Sequence, residues 1–172
     1  MTAPRYDLLG VGNAIVDVIA KTDDKFLVTH GMAKGAMTLI DEPRAKAIYD
    51  AMGTTTESSG GSAANTIVGA ASLGARTAFI GKVKNDKLGG AFTHDIRANG
   101  VAFDVKPATD SPATGCSYIL VTPDGERTMN TYLGAAQDLR PSDIDEAQIA
   151  AAEVVYLEGY LWDPPQAKEA FR

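Results

Sequence analysis

The chain has 172 residues, 45% hydrophobic and 22% charged, the balance of an ordinary globular domain. Its 16 Lys and Arg against 22 Asp and Glu leave a net charge of −6, which excludes the basic footprint of a nucleic-acid binder. A single Cys116 excludes an internal disulfide and multi-cysteine metal sites. Met1–Arg5 has no apolar signal core, and no apolar run nears the ~20 residues of a membrane span, so a cytoplasmic protein is expected.

Taken in chain order, Tyr6 to Val11 reads as a buried strand ending in Gly12-Asn13, and Ala14 to Ala20 as a second strand. Met37 to Ile40 is a short strand. Glu42-Pro43 opens a helix to about Met52, with Pro in the first turn where its missing N–H costs nothing, and Gly53 ends it. Thr54 to Thr56 is a small β-branched strand running into Ser58-Ser59-Gly60-Gly61-Ser62. A helix spans Ala63 to Leu73. A strand covers Thr77 to Val83, and Asp86 caps a helix from Lys87 to Ala98. Val101 to Val105 is predicted as a strand. Gly115 to Val121 and Arg127 to Tyr132 form a hairpin around Pro123-Asp124-Gly125. Pro141 to Ala152 is a predicted helix and Val154 to Trp162 an apolar strand, with Val154, Tyr156, Tyr160 and Trp162 on one face. A further helix opens at Gln166, and the stop at Phe171-Arg172 reads as a cut through it, as in a fragment of a longer chain.

Helices alternating with buried strands predict an α/β layer with a mainly parallel sheet. The strands near 14–20, 36–40, 54–58 and 115–132 do not alternate with helices and read as a second, smaller β-sheet inserted into it.

The strongest local signal is Ser59-Gly60-Gly61-Ser62-Ala63-Ala64-Asn65. Paired glycines let backbone approach a ligand, the following helix start offers N–H groups, and Asn65 offers an amide one turn in. A plain glycine turn into a tightly packed helix is the alternative. Gly10-Val11-Gly12 lacks the third glycine and the helix of a dinucleotide site. Asn13 and Asp17 instead lie at or past a strand end, where open α/β sheets gather ligands. A carboxylate among Ile15, Val16, Val18 and Ile19 needs a partner, either a ligand diol or a protein N–H. Arg127 fits an oxyanion or simply the surface. His30 and His94 are isolated and form neither a metal site nor a triad.

Together these residues resemble the ribokinase family of carbohydrate and nucleoside kinases. The resemblance rests on Gly60 to Asn65, Ala70-Ala71-Ser72-Leu73-Gly74, Phe79 to Val83, Asp86 and Gly89. Gly10 to Asp17, Thr114-Gly115-Cys116, Glu126-Arg127-Thr128-Met129, Leu133-Gly134-Ala135 and Val155 to Tyr160 are similar to adenosine kinase-type members. The resemblance implies a three-layer α/β/α domain with a small β-sheet lid, its strands near 14–22, 36–41, 54–59 and 113–132. It implies transfer of the γ-phosphoryl of ATP, with Mg2+, to a sugar hydroxyl. Asp17, Gly60, Gly61 and Asn65 would clamp the sugar, and Asn13 would line the pocket. Met37 and Tyr160 would flank a base, and Arg127 would approach the phosphates on lid closure.

The family's Asp-Thr-x-Gly-Ala-Gly-Asp run, which carries the catalytic aspartate, is absent, as is its Asn-x-x-Glu motif. Residues 1–172 are therefore expected to be the N-terminal part of the kinase domain, with no catalytic base, no metal ligand and no ATP site of their own, and inactive alone. The expected acceptor is a nucleoside, adenosine favoured, in a purine-salvage role. The alternatives are a free sugar (ribose, fructose or a keto-sugar acid) or a non-catalytic binding half-domain. A monomer, or a homodimer through exposed lid residues among Val16, Val18, Ile19, Ile119 and Val121, is expected.

Overall fold

The computed structural model describes residues 5–172; the polar N-terminal stretch read above falls largely outside them. Eight strands alternate with six helices: β1 (Tyr6–Val11), β2 (Ile15–Lys21), α1 (Asp24–Thr29), β3 (Met37–Leu39), α2 (Glu42–Ala51), β4 (Thr56–Gly60), α3 (Ser62–Ser72), β5 (Thr77–Ile80), α4 (Lys87–Ala98), β6 (Thr114–Val121), β7 (Arg127–Gly134), α5 (Glu146–Ala150), β8 (Ala152–Leu157) and α6 (Pro165–Ala170). They make two sheets. The first is parallel, in the order β5-β1-β8. The second is mixed, in the order β3-β7-β6-β2-β4, and is built from the four predicted lid segments.

Side-chain alternation along β1 and β5 divides the core between the two faces of the parallel sheet. Phe79 looks toward α3 and α4, where it meets Ile67, Phe92, Ile96 and Phe103. The rings of Phe92 and Phe103 pack edge to face at 5.3 Å. Leu9, Val11, Ala78 and Ile80 look the other way, onto Leu139, Leu161 and Ala167. Helices thus cover both faces, giving the expected three layers. The lid sheet buries Val16, Val18, Cys116 and Tyr118 beneath Ala45 and Ile48 of α2, and Ala20 and Leu120 beneath Leu27 of α1. Val16, Val18 and Ile119 are therefore buried rather than exposed, and the interface expected from them is not available.

Four local expectations are corrected. Helix α1 was not anticipated; the Asp23 side chain caps it by accepting from the Phe26 N–H at 2.8 Å, and Leu27 anchors it. Val101 to Val105 makes one bridge, Ala78 to Ala102, instead of a strand. The Phe103 carbonyl accepts from the Arg97 guanidinium, with Nε at 2.9 Å, and not from a neighbouring strand. The helix predicted over 141–152 is split. Pro141–Asp143 is a 3-10 turn, and the Asp145 carboxylate starts α5 afresh by capping the Ala147 N–H at 2.9 Å. The strand predicted to Trp162 stops at Leu157 and gives way to a 3-10 turn over Gly159–Trp162, so Val154, Tyr156, Tyr160 and Trp162 do not form one stripe.

The Gly-x-Gly of β1 has a packing explanation. A methyl group on Gly10 would lie 2.5 Å from Ile67 Cγ1, and one on Gly12 would lie 2.6 Å from Ala63 Cβ and 2.8 Å from Glu158 Oε2. These glycines let α3 lie directly on β1. Gly69, by contrast, has no neighbour where a methyl would go, so it does not serve that contact. Gly12→Ala should therefore destabilise the fold by about 2 kcal/mol through overpacking. Gly69→Ala should be neutral or slightly stabilising by helix propensity. Urea unfolding of the two variants beside the parent protein checks the pair.

Candidate functional site

The two sheets meet at the turn between β4 and α3. Gly60 ends the strand, and Gly61 takes φ +100°, a left-handed conformation that favours glycine. A methyl on Gly61 would lie 2.4 Å from the Asn13 carbonyl oxygen, so the turn presses against the crossover from β1 to β2. Helix α3 starts without a side-chain cap. One of its first N–H groups, that of Ala63, donates to Glu158 Oε1 at 3.2 Å and is not left free as expected.

Asp17 lies on β2 between Ser58 of β4 and Ser117 of β6. Its carboxylate sits over Gly60: a methyl there would fall 2.4 Å from Asp17 Cγ. It is half-buried, and no described residue donates a hydrogen bond to it. Desolvation raises its pKa from 3.8 to about 6, opposed by the positive charge of Arg127.

Asn13 is 5% exposed. Its backbone N–H and its Nδ2 both donate to Glu158 Oε2, at 2.6 and 3.1 Å. The reverse amide orientation would set two oxygens against each other, so Oδ1 points away from Glu158. That oxygen is buried and has no hydrogen-bond partner. Glu158, 3% exposed at the end of β8, thus accepts three hydrogen bonds that offset its burial. Sequence reasoning missed this role, although a lone acid closing the apolar run Val154 to Leu157 was a usable signal.

Asn13, Asp17, Gly60 and Gly61 are therefore brought together. Strand register puts Met37, Arg127 and Asp17 on one face of the lid sheet, through the pairs Asp17–Ser117, Ser117–Thr131, Leu39–Thr131 and Val121–Arg127. Met37 is 50% exposed there, and Arg127 is exposed. Asn65 is exposed one turn into α3, and its side chain makes no hydrogen bond within the described residues. Tyr160 stands apart from the lid, 66% exposed in the turn after β8. A separate cavity of about 610 Å³, lined by Tyr49, Cys116, Tyr118 and Tyr132, lies on the other face of the lid. His30 packs on the Phe26 ring, and His94 is exposed on α4. Among the described residues no cluster of three His, Cys, Asp or Glu is placed to hold a metal ion, and no helix is long and apolar enough to cross a membrane.

Comparison with known proteins bears on the fold and the family. An adenosine kinase structure from Sinorhizobium meliloti is similar over 96% of this chain and 51% of its own, with 57% identity and a TM-score of 0.89. A probable sugar kinase from Rhizobium etli CFN 42 is similar over 97% and 51%, with 54% identity and a TM-score of 0.90. The guanosine-inosine kinase of Escherichia coli K12 is 26% identical over 90% of this chain and 37% of its own. The chain spans about half the length of those two structures, and less of the curated relative. The pattern of the pfkB family carbohydrate kinases matches residues 11–171, and the chain, with its lid sheet and its Asp17–Gly60–Gly61 cluster, belongs to that family.

Proposed function

We propose that this chain is the acceptor-binding and lid portion of an ATP-dependent kinase that phosphorylates the sugar hydroxyl of a nucleoside, with adenosine the favoured acceptor. The carrying observation is a pair of oxygen acceptors lacking donors, the Asp17 carboxylate and Asn13 Oδ1, joined through the Gly60-Gly61 turn. Hydroxyl groups of a sugar are donors of the right kind for both. The Gly60-Gly61 turn lets Asp17 and Asn13 close against it, and the Asn65 amide would add a further contact. Met37 and Tyr160 offer exposed apolar surface to a base, which favours a nucleoside over a free sugar. Similarity to the adenosine kinase of Sinorhizobium meliloti supports the same reading. Recognition of a diol by Asp17 serves a free sugar equally, and that second reading is supported by the Rhizobium etli relative.

Phosphoryl transfer depends on positioning and charge neutralisation. These residues would hold the acceptor hydroxyl in place, and Arg127 on the lid would face the transferring group. ATP and Mg2+ enter from the family. We assign no residue of this chain to either. The general base and the ATP site would come from the remainder of a longer kinase domain. Strand β8 is an edge of the parallel sheet with Val154, Val155, Tyr156 and Leu157 all exposed, a surface suited to pairing with further strands. A monomer fits the covered back of the lid better than a lid-mediated dimer.

The full natural polypeptide should transfer labelled phosphoryl from ATP to adenosine with kcat/KM at least about tenfold above that for ribose, a gap of about 1.4 kcal/mol. Residues 1–172 alone should transfer none. Preference for ribose would replace the first reading with the second, and turnover of neither nucleosides nor sugars would overturn both.

The pH dependence follows from Asp17. Its folded pKa lies above the unfolded 3.8, so the folded protein holds the proton more tightly between 3.8 and about 6. Stability is lost as pH rises through that window. Raising the carboxyl from 3.8 to about 6 costs at most about 3 kcal/mol at neutral pH, and water access reduces this to about 1–2 kcal/mol. Asp17→Asn should accordingly raise the melting temperature near neutrality, with little effect below about pH 4. It should also weaken acceptor binding by about tenfold or more, as loss of a charged hydrogen-bond acceptor does. Parent affinity should fall as pH drops through about 6, measured by calorimetric titration.

A further inference from the structure

The lid strand that carries Asp17 lies between two neighbours, β6 and β4, and one helix of the main layer grips both. At the start of α4, the Asp86 carboxylate accepts from the Thr114 N–H at 2.9 Å, from the Thr114 hydroxyl at 2.7 Å and from the Gly89 N–H at 2.8 Å. Thr114 is the first residue of β6. Nine residues further along, the Asp95 carboxylate accepts from the Ser59 N–H at 2.6 Å. Ser59 pairs with Val16 across β2 and immediately precedes Gly60-Gly61. Nine residues of helix span about 13 Å. Two strand spacings, from β6 across β2 to β4, span about 10 Å. The helix is thus long enough to pin both flanks of β2.

Asp95 differs from an ordinary surface acid. It is half-buried, its carboxylate makes no ion pair, and its one side-chain hydrogen bond goes to an outward N–H of an edge strand. A charge-assisted bond of this kind is about twice as strong as a neutral one. It lies one residue from Gly60, over which the Asp17 carboxylate rests, and two from Gly61, which presses on Asn13. We infer that Asp95 is a positioning residue for acceptor binding, latching β4 to α4 so that the Gly60-Gly61 turn stays in register with Asp17 and Asn13. The inference rests on the kinase reading above. It adds a residue outside the clamp and outside the motifs on which the family resemblance rests. Asp86 holds the β6 side of β2, and Asp95 holds the side on which the acceptor would lie.

Asp95→Ala and Asp95→Asn in the full natural polypeptide test this, because Asn keeps an acceptor oxygen for the Ser59 N–H and Ala does not. Asp95→Ala should raise KM for the acceptor about tenfold, with kcat within about twofold and KM for ATP unchanged. Amide exchange at Ser59 should accelerate by about tenfold or more. Asp95→Asn should return both to within about threefold of the parent. An unchanged acceptor KM in Asp95→Ala, or an acceptor defect that Asn does not relieve, overturns the proposal. If the parent protein phosphorylates neither nucleosides nor sugars, the kinase reading fails, and exchange alone then decides the latch: unchanged protection at Ser59 in Asp95→Ala overturns it.

Discussion

Three segments distant in sequence converge on the Glu158 carboxylate: the end of β1 at Asn13, the start of α3 at Ala63, and the end of β8, which supplies the acid itself. A carboxylate at 3% exposure is tolerable only if its charge is met by donors, and three N–H groups meet it. None is a cation, so the charge is neutralised by amide dipoles alone. This arrangement fixes direction as well as distance. Asn13 must turn Nδ2 inward, and its carbonyl oxygen is then committed to the other side. The position of an unpartnered acceptor in the candidate site is thus a consequence of a buried acid behind it.

Space is the companion constraint. Glu158 can reach Asn13 only because Gly12 has no side chain, and Asp17 can lie over the turn only because Gly60 has none. Gly12 meets the Ala63 methyl as well as Glu158 Oε2, so it both seats α3 on the sheet and admits an acid, whereas Gly10 meets only apolar side chains and Gly60 only the Asp17 carboxylate. Gly61 is set apart by its positive φ and by the Asn13 carbonyl oxygen against it.

Much of this architecture was legible from pattern. Short apolar runs located β1 and β2, the Pro123-Asp124-Gly125 turn located the β6–β7 hairpin, and caps such as Asp86 with a glycine after Asn99 bounded α4. Segregation into two sheets followed from which strands lacked an intervening helix. The errors fell where side chains redirect the backbone. Arg97 occupies the carbonyl of Phe103, Asp145 restarts a helix after a proline-led turn, and Asp23 caps a helix of only six residues. Within the site, Asn13, Asp17, Gly60 and Gly61 were visible because each departs from its local pattern. Asp95 was not, because its partner is a backbone amide 36 residues away, and a main-chain N–H leaves no mark in a sequence; for Glu158 only the acid closing an apolar run was legible, its partners at Asn13 and Ala63 lying 145 and 95 residues away.

Asp17 and Glu158 are both acids among apolar neighbours, yet the fold treats them oppositely. Glu158 has every donor it needs and serves as a strut. Asp17 is given none, and desolvation pushes its pKa to about 6 while the nearby charge of Arg127 only partly offsets this. A fold free to minimise its own energy would hold Asp17 as it holds Glu158, or replace it with an apolar side chain. Under the proposed function, an unsatisfied carboxylate and an unsatisfied amide oxygen cost the protein stability, and a donor-rich acceptor would recover that cost on binding. The hydrogen bonds from α4 to both neighbours of β2 would then serve to keep those oxygens from relaxing toward other donors.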